Sequence, residues 1–349
     1  MRTLYDLSWQ VSEETYREDP ALSYSTLAKF ERGGFDSLPT LFDKVESPSL
    51  LFGSAVDCII TEGSEEFDKR FLVADMDELT PAQLSIINSI LDQFGEVYQN
   101  LEDIPNADII AVTEREGFQL NWKPDTRVKV IKEKCSQYYY LAQLSKEKQL
   151  ISSAVYQDVL NAVQALKTSE ATRFYFKENS PFDSSIERFY QLKFKATIDG
   201  IDFRIMMDLV VVDHDRKVIM PCDLKTSSHK EYEFHKSFMD WKYYLQAKLY
   251  TAVMKQNLIG TKYEDYIIEP YRFIVVNKNS LIPLVWLFND SLNLNSFYID
   301  DTEYRGPIEI AKELKGYLDN NSIVPNGINL SGDNSLQEFL GYATKDNQC

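Results

Sequence analysis

Asp208, Asp223 and Lys225 are the residues of this chain whose types and spacing could do chemistry. Asp223 and Lys225 stand two residues apart, directly behind the apolar run Val218-Ile219-Met220-Pro221-Cys222. On a strand both side chains then point to one face, while Met220 and Leu224 point to the other. The polar turn over 213–216 makes the strand of Asp208 the neighbour of theirs and brings the two aspartates toward each other. Two carboxylates converging beside a lysine suit a hard divalent cation. Mg²⁺ takes oxygen ligands, commonly one or two carboxylates together with water and substrate phosphate. A metal held in this way polarises a phosphoryl oxygen and helps generate hydroxide, while the lysine orients or deprotonates water and offsets developing negative charge. The other reading is two ordinary strand-end acids and a solvated lysine, since Asp-x-Lys alone is common. Against it stands the apolar run, because charges placed directly behind it need partners.

A meander must position these groups. Leu192, Phe194, Ala196 and Ile198 alternate with Gln191, Lys193, Lys195 and Thr197, which predicts a half-buried strand. Asp199-Gly200 is a hairpin signal. The return strand over 201–212 is more apolar, as a central strand should be, and a third covers 218–226. A long helix follows over about 236–256, then strands over 271–276 and 282–288, a helix over 307–318 and a polar tail to Cys349. Upstream, Ser23 or Ser25 caps a helix over 26–30 that Gly33-Gly34 stops. A second helix, over 50–62, ends at Gly63. Thr80-Pro81-Ala82-Gln83 forms a capping box heading a helix to about Tyr98, with Leu84, Ile87, Leu91, Phe94 and Tyr98 on one face. Residues 101–124 carry no assignable pattern. The stretch 128–176 is helix-rich, with Ile151, Val155, Val159, Ala162, Val163 and Leu166 spaced for one buried face. The fold class is α/β (α+β): a central mixed sheet flanked by helices, with a helical N-terminal elaboration.

Composition narrows the class. Hydrophobic residues at 44% and charged residues at 26% describe a globular chain and exclude a disordered or fibrous one. No stretch approaches the roughly 18 apolar residues of a membrane span, and residues 1–20 lack the apolar core of a signal peptide. Cys58, Cys135, Cys222 and Cys349 are far apart with no CxxC pair, so neither a zinc site nor a disulfide framework is expected. These features predict a soluble protein, with the cytoplasm as the default compartment. The net charge of −17 argues against a protein that coats DNA non-specifically, although a basic channel can sit inside an acidic body. No GxxxxGK[ST] loop is present, so no ATP-driven motor is expected. No helix-turn-helix or zinc finger is visible.

The segment "IDGIDFRIMMDLVVVDHDRKVIMPCDLKT", residues 198–226, resembles the core of PD-(D/E)XK nucleases, nearest to the RecB-like and RecE-like exonucleases, phage recombination nucleases included. The resemblance implies a restriction-endonuclease-like core in which Asp208, Asp223 and Lys225 are catalytic. The two aspartates and the Leu224 carbonyl would hold Mg²⁺ or Mn²⁺. Gln246-Ala-Lys-Leu-Tyr250 matches a downstream Gln-x-x-x-Tyr, whose i, i+4 spacing puts both side chains on one helix face. There they would hold the DNA backbone or a water near the metal, unless they are simply a polar glutamine and a core tyrosine. Glu187 resembles an acidic residue that the RecE-like group places before its first strand. "YSTLAKFERGGF" (24–35) and "LFGSAVDCIITEG" (51–63) resemble the N-terminal segments of the RecB-like branch. Asp57 stands where that branch carries a histidine ligand, and is either a metal ligand or an acid on an exposed helix face. Iron–sulfur members of the branch use four cysteines; Glu31-Arg32-Gly33-Gly34 has none, so no cluster is expected.

By this resemblance the chain is one nuclease domain over 1–349, with a helix-rich part (1–176), a catalytic sheet and Gln-x-x-x-Tyr helix (185–290) and a C-terminal helix and tail (291–349). It is expected to be an exonuclease acting on double-stranded DNA ends in phage or bacterial recombination, beside a single-strand-annealing recombinase. A homo-oligomeric ring is expected to segregate basic residues toward DNA, among them Lys193, Lys195, Lys230, Lys236, Lys242 and Lys248. The alternatives are a catalytically weak or inactive DNA-binding or structural protein of the same fold, and an endonuclease.

Overall fold

Small polar side chains start the first helices. In a computed structural model, residues 2–320 are described apart from 44–46, 76–78, 147, 181 and 183–184; the expected polar tail with Cys349 lies outside the described residues. Thr3, Ser12 and Ser23 cap α1 (Leu4–Leu7), α2 (Glu13–Glu18) and α3 (Tyr24–Gly33), each accepting a backbone N–H of the first turn. Contacts divide the chain into two compact units, one of 1–45, 169–277 and 282–349 and one of 46–168 with 278–281. This division does not follow the expected parts. Residues 1–45 belong with the sheet because Leu22 bridges to it: its N–H donates to the Asp202 carbonyl and its carbonyl accepts from the Arg204 N–H.

The unit of 46–168 is mostly helical, with α4 (Pro48–Thr61), α5 (Ser64–Arg70), β1 (Phe71–Val73), α6 (Pro81–Phe94), α7 (Asn106–Arg115), α8 (Pro124–Leu144), β2 (Gln149–Ile151) and α9 (Ser153–Thr168). The Thr80–Gln83 capping box is present. The buried face of α6 is Ile86, Ile87 and Ile90, which share a core with Ile131, Cys135 and Tyr139 of α8. Of the expected stripe only Ile87 is fully buried. Ile151 lies on β2, paired in parallel with Val73 of β1, and not on the helix face expected for it. The unassigned stretch 101–124 contains α7.

The other unit carries β3 (Ile186–Ile198), β4 (Ile201–Asp213), β5 (Val218–Ser227), α10 (Phe234–Asp240), α11 (Tyr243–Leu258), β6 (Ile267–Ile268), β7 (Tyr271–Asn277), β8 (Pro283–Phe288), β9 (Phe297–Ile299), β10 (Thr302–Tyr304) and α12 (Pro307–Asn320). Asp199 and Gly200, with φ of 51° and 76°, close the β3–β4 hairpin, a turn whose left-handed backbone favours Asx-Gly. A six-stranded mixed sheet runs β3-β4-β5-β7-β8, with β6 beside β5. Leu192, Phe194, Phe203 and Ile205 share one core with Leu245 and Leu249 of α11, and each such buried side chain contributes about 1.5–3 kcal/mol. The helix expected over 236–256 is two helices. Lys242, at φ 59°, takes a left-handed backbone that breaks the ladder between α10 and α11.

β5 changes partner midway, and this shapes the site. Its first half pairs antiparallel with β4, ending at Leu209↔Cys222. Its second half pairs in parallel with β7, from Cys222↔Arg272 to Ser227↔Asn277. Pro221, which has no N–H to donate, stands one residue before the β4 ladder ends. Asp208 and Asp223 are the next residues along each strand, where β4 and β5 part.

Candidate active site

The fork between β4 and β5 presents Asp208 and Asp223 side by side. Asp208 is half-buried, and its Oδ2 accepts the Leu224 backbone N–H at 2.8 Å. Asp223 is 1% exposed. Its Oδ1 accepts from Gln246 Nε2, and its Oδ2 faces the Lys225 ammonium as an ion pair. That oxygen has the charge of Lys225 beside it but no well-formed hydrogen bond. Burial opposes the charge on Lys225, yet Asp223, Tyr243 and Asp208 outweigh it and hold the ammonium well above the ordinary lysine pKa. The Lys225 Nζ also lies 4.8 Å from the centroid of the Tyr243 ring.

α11 is pinned across both strands. Gln246 reaches β5 at Asp223, and Tyr250, one turn later, makes a backbone hydrogen bond with Met206 of β4. Both side chains are buried, so the i, i+4 pair faces the sheet. Burial raises the Tyr250 and Tyr271 hydroxyls well above the ordinary tyrosine pKa, and Asp223 and Asp208 add to the effect. Among the described residues, Gln246 Oε1 and the Tyr271 hydroxyl have no hydrogen-bond partner although both are buried. Buried polar atoms without partners require an explanation.

The expected residues do not all gather here. Asp208, Asp223, Lys225, Gln246 and Tyr250 do, together with the Leu224 backbone. Glu187 does not: it pairs with Val212, three register steps beyond Leu209, and its Oε2 lies 2.6 Å from His214 Nε2, whose Nδ1 meets the Tyr266 hydroxyl at 3.0 Å. Asp57 is half-buried on α4 of the other unit. Lys248, expected to face DNA, has 0% exposure; its Nζ lies 2.6 Å from Asp290 Oδ2 and donates to the carbonyls of Asn293 and Asn295. The same helix turn that puts Gln246 on the sheet sends Lys248 into the packed loop behind it. Lys195 is paired with Asp19 at 2.6 Å, and Lys193 donates to the Val11 carbonyl at 2.9 Å.

Four residues beside the site were not singled out from the sequence: Tyr24, Arg32, Trp241 and Tyr243. The Tyr24 and Tyr243 rings lie 6.2 Å apart, and the Tyr24 hydroxyl donates to the Trp241 carbonyl at 2.7 Å. The interleaved Phe238-Met-Asp-Trp-Lys-Tyr-Tyr244 was the available signal, but it lies inside what reads as one continuous helix.

The donor set fits a hard cation. It offers two carboxylates and backbone oxygen, with buried oxygens of Asp223 and Gln246 not satisfied by hydrogen bonds. No group of three or more His, Cys, Asp or Glu side chains gathers among the described residues, so water and substrate would complete the shell, as Mg²⁺ prefers.

A mixed sheet flanked by helices, with an aspartate where one strand parts from the next and Asp-x-Lys on that next strand, defines a PD-(D/E)XK-type core. A family model described as a PDDEXK-like domain of unknown function (DUF3799) matches residues 23–282, and the chain belongs to that family. One solved structure to which it is similar is a protein from Eubacterium rectale described as a "Putative exonuclease"; it is 13% identical, covers 95% of this chain and 98% of its own, and has a TM-score of 0.43. So loose a likeness transfers no residue roles. No curated protein matches. No helix among the described residues is long and apolar enough to cross a membrane.

Proposed function

We propose that the chain is a divalent-metal-dependent DNA nuclease that removes nucleotides from the ends of duplex DNA. The observation that carries this reading is the meeting of Asp208, Asp223 and Lys225 at the strand fork, with Gln246 bonded to Asp223. Asp208, Asp223 and the Leu224 carbonyl hold the metal, Mg²⁺ or Mn²⁺, which when bound polarises the scissile phosphate and lowers the pKa of water. The Leu224 N–H fixes the orientation of the Asp208 carboxylate, and Gln246 that of Asp223. Lys225 places its ammonium where it orients the attacking water and offsets charge growing on the phosphoryl oxygens. Tyr250 anchors α11, which keeps Gln246 in place. A role for Asp57 as a further ligand, and for Glu187 in catalysis, rests on the sequence resemblance alone.

Exonucleolytic action, a place in phage or bacterial recombination beside a single-strand-annealing recombinase, a homo-oligomeric ring and a cytoplasmic location belong to the same reading. Support for a ring comes from the net charge of −17, which requires DNA-facing cations to be segregated. The direct test incubates end-labelled linear and closed circular DNA with Mg²⁺, Mn²⁺ or EDTA. Mononucleotides from linear DNA only, with none in EDTA, are expected. Cleavage of the circle would establish an endonuclease instead, and no cleavage under any metal would leave a binding protein.

A further inference from the structure

Trp241 is 53% exposed although Arg32 already covers part of it, with the guanidinium carbon 4.6 Å from the ring centroid. Its backbone is nonetheless held on both sides. The N–H donates to the Ser237 carbonyl at 3.0 Å, and the carbonyl accepts the Tyr24 hydroxyl at 2.7 Å. The left-handed backbone of Lys242 then turns the chain from α10 into α11. A large ring held on a fixed backbone and left in solvent adds little to a core. It has already lost the backbone freedom that binding would otherwise remove.

Two tyrosine rings link the Trp241 backbone to the strand fork. Lys225 Nζ lies 4.8 Å over the Tyr243 ring, Tyr243 is 6.2 Å from Tyr24, and the Tyr24 hydroxyl bonds the Trp241 carbonyl. Arg32 itself forms no ion pair among the described residues. An exposed aromatic face under a planar cation, one ring pair away from a phosphate-directed lysine, matches the chemistry of a nucleobase attached to its phosphate. Bases stack on tryptophan and on guanidinium planes, and the cation attracts the backbone.

We propose that Trp241 and Arg32 form a stacking platform for an unpaired base of the nucleic-acid substrate, next to the phosphodiester being cut. The proposal rests on the nuclease reading for the identity of the ligand. Its substrate class is a strand whose terminal bases are unpaired, either single-stranded or frayed from a duplex end. Trp241 and Arg32 are positioning residues: they hold the nucleotide while the aspartates and Lys225 act on the phosphate.

The test measures binding in EDTA, where hydrolysis does not interfere. A fluorescent short oligodeoxythymidine is compared with a strand of equal length made of abasic units, which keeps every phosphate and removes every base. The wild-type protein should bind the base-bearing strand roughly ten-fold more tightly, as expected of base–aromatic stacking. Trp241→Ala should erase that preference and leave affinity for the abasic strand unchanged, and Trp241→Phe should retain part of it. If the alanine variant does not fold, Trp241→Leu serves the same comparison. Equal wild-type affinity for both strands, or a preference that survives in the alanine or leucine variant, overturns the platform. Self-association that depends on Trp241 without any base preference also overturns it, in favour of a protein-contact surface. Hydrolysis of linear DNA by the wild-type protein with Mg²⁺ or Mn²⁺ is scored separately. Cleavage without base preference removes the platform alone, while base preference without cleavage removes the nuclease reading and leaves a base-binding surface.

Discussion

The side-chain amide of Gln246 donates to the buried carboxylate of Asp223 across 23 residues of sequence, joining α11 to the strand that carries Asp-x-Lys. This bond fixes a carboxylate whose other oxygen faces Lys225. Gln246→Leu keeps the volume and removes the donor, so it should lower apparent metal affinity or turnover by roughly 10–100-fold. Gln246→Glu should be worse, because it buries a second carboxylate against the first. Metal titration of DNA cleavage checks both. A leucine variant with wild-type metal dependence would mean that Asp223 needs no such support.

Asp208→Ala, Asp223→Ala and Lys225→Ala should each reduce cleavage by on the order of 10²-fold or more. Their stabilities should differ in an informative way. Asp223→Ala leaves the half-buried Lys225 ammonium without its ion-pair partner and should destabilise the metal-free protein by roughly 1–3 kcal/mol. Asp223→Asn keeps the hydrogen-bonding shape at the Gln246 amide and should be milder. Thermal melts in EDTA alongside cleavage assays make the comparison, and an Asp223→Ala protein that cleaves DNA undiminished would remove the assigned site.

Lys248 separates structural cations from DNA-binding ones. It is fully buried and bonded to Asp290 and two carbonyls. Lys248→Ala should lower stability by roughly 2–4 kcal/mol. The salt dependence of DNA binding should not change, since a lysine that neutralises a phosphate would reduce that slope by about one unit. Binding isotherms over a range of salt concentrations, beside a denaturation curve, decide between the two roles.

The pair Asp19–Lys195 predicts a pH dependence. Burial raises the Asp19 carboxyl, but the Lys195 ammonium, the Ala21 N–H and Arg204 outweigh it and hold the carboxyl below its ordinary pKa. A carboxyl depressed in the folded state contributes stability that is fully present above the unfolded value near ~3.9 and is lost as pH falls through the folded value. Asp19→Asn should therefore lower stability by roughly 1 kcal/mol at neutral pH, and the two proteins should converge in acid. Urea titrations at several pH values test this, and a gap that stays constant down to the acid end contradicts the assigned cause.

If the protein assembles into a ring, light scattering coupled to size exclusion should report a closed homo-oligomer at micromolar concentration. Degradation should then stay on the first DNA molecule after a competitor chase. A monomer that redistributes freely among substrates excludes the ring.

The meander over β3, β4 and β5 and the placement of Asp223 and Lys225 on one strand face were legible in the sequence because they depend on local rules. Alternation, an Asp-Gly turn and a polar turn act over a few residues; β4 and β5 match the expected bounds to within a residue, and β3 starts earlier, at Ile186. The Ser23 cap and the Thr80 capping box were legible for the same reason. The partner change of β5 at Cys222 was not, because pairing with β7 depends on a strand about 50 residues further along the chain. Nor was the fate of the lysines: Lys248 and Lys195 look alike in sequence, and only packing put one in a sealed loop and the other against Asp19. Glu187, expected before the first strand, lies within β3, and the register carries it along β4 toward His214 and away from the fork. The break at Lys242, directly after the exposed Trp241, needs a left-handed backbone at a residue with ordinary helix propensity. Residue types and short spacings thus determined which groups could do chemistry. Long-range strand exchange and burial decided which of them meet, since a contact between distant residues depends on the path of the whole chain and not on its local pattern.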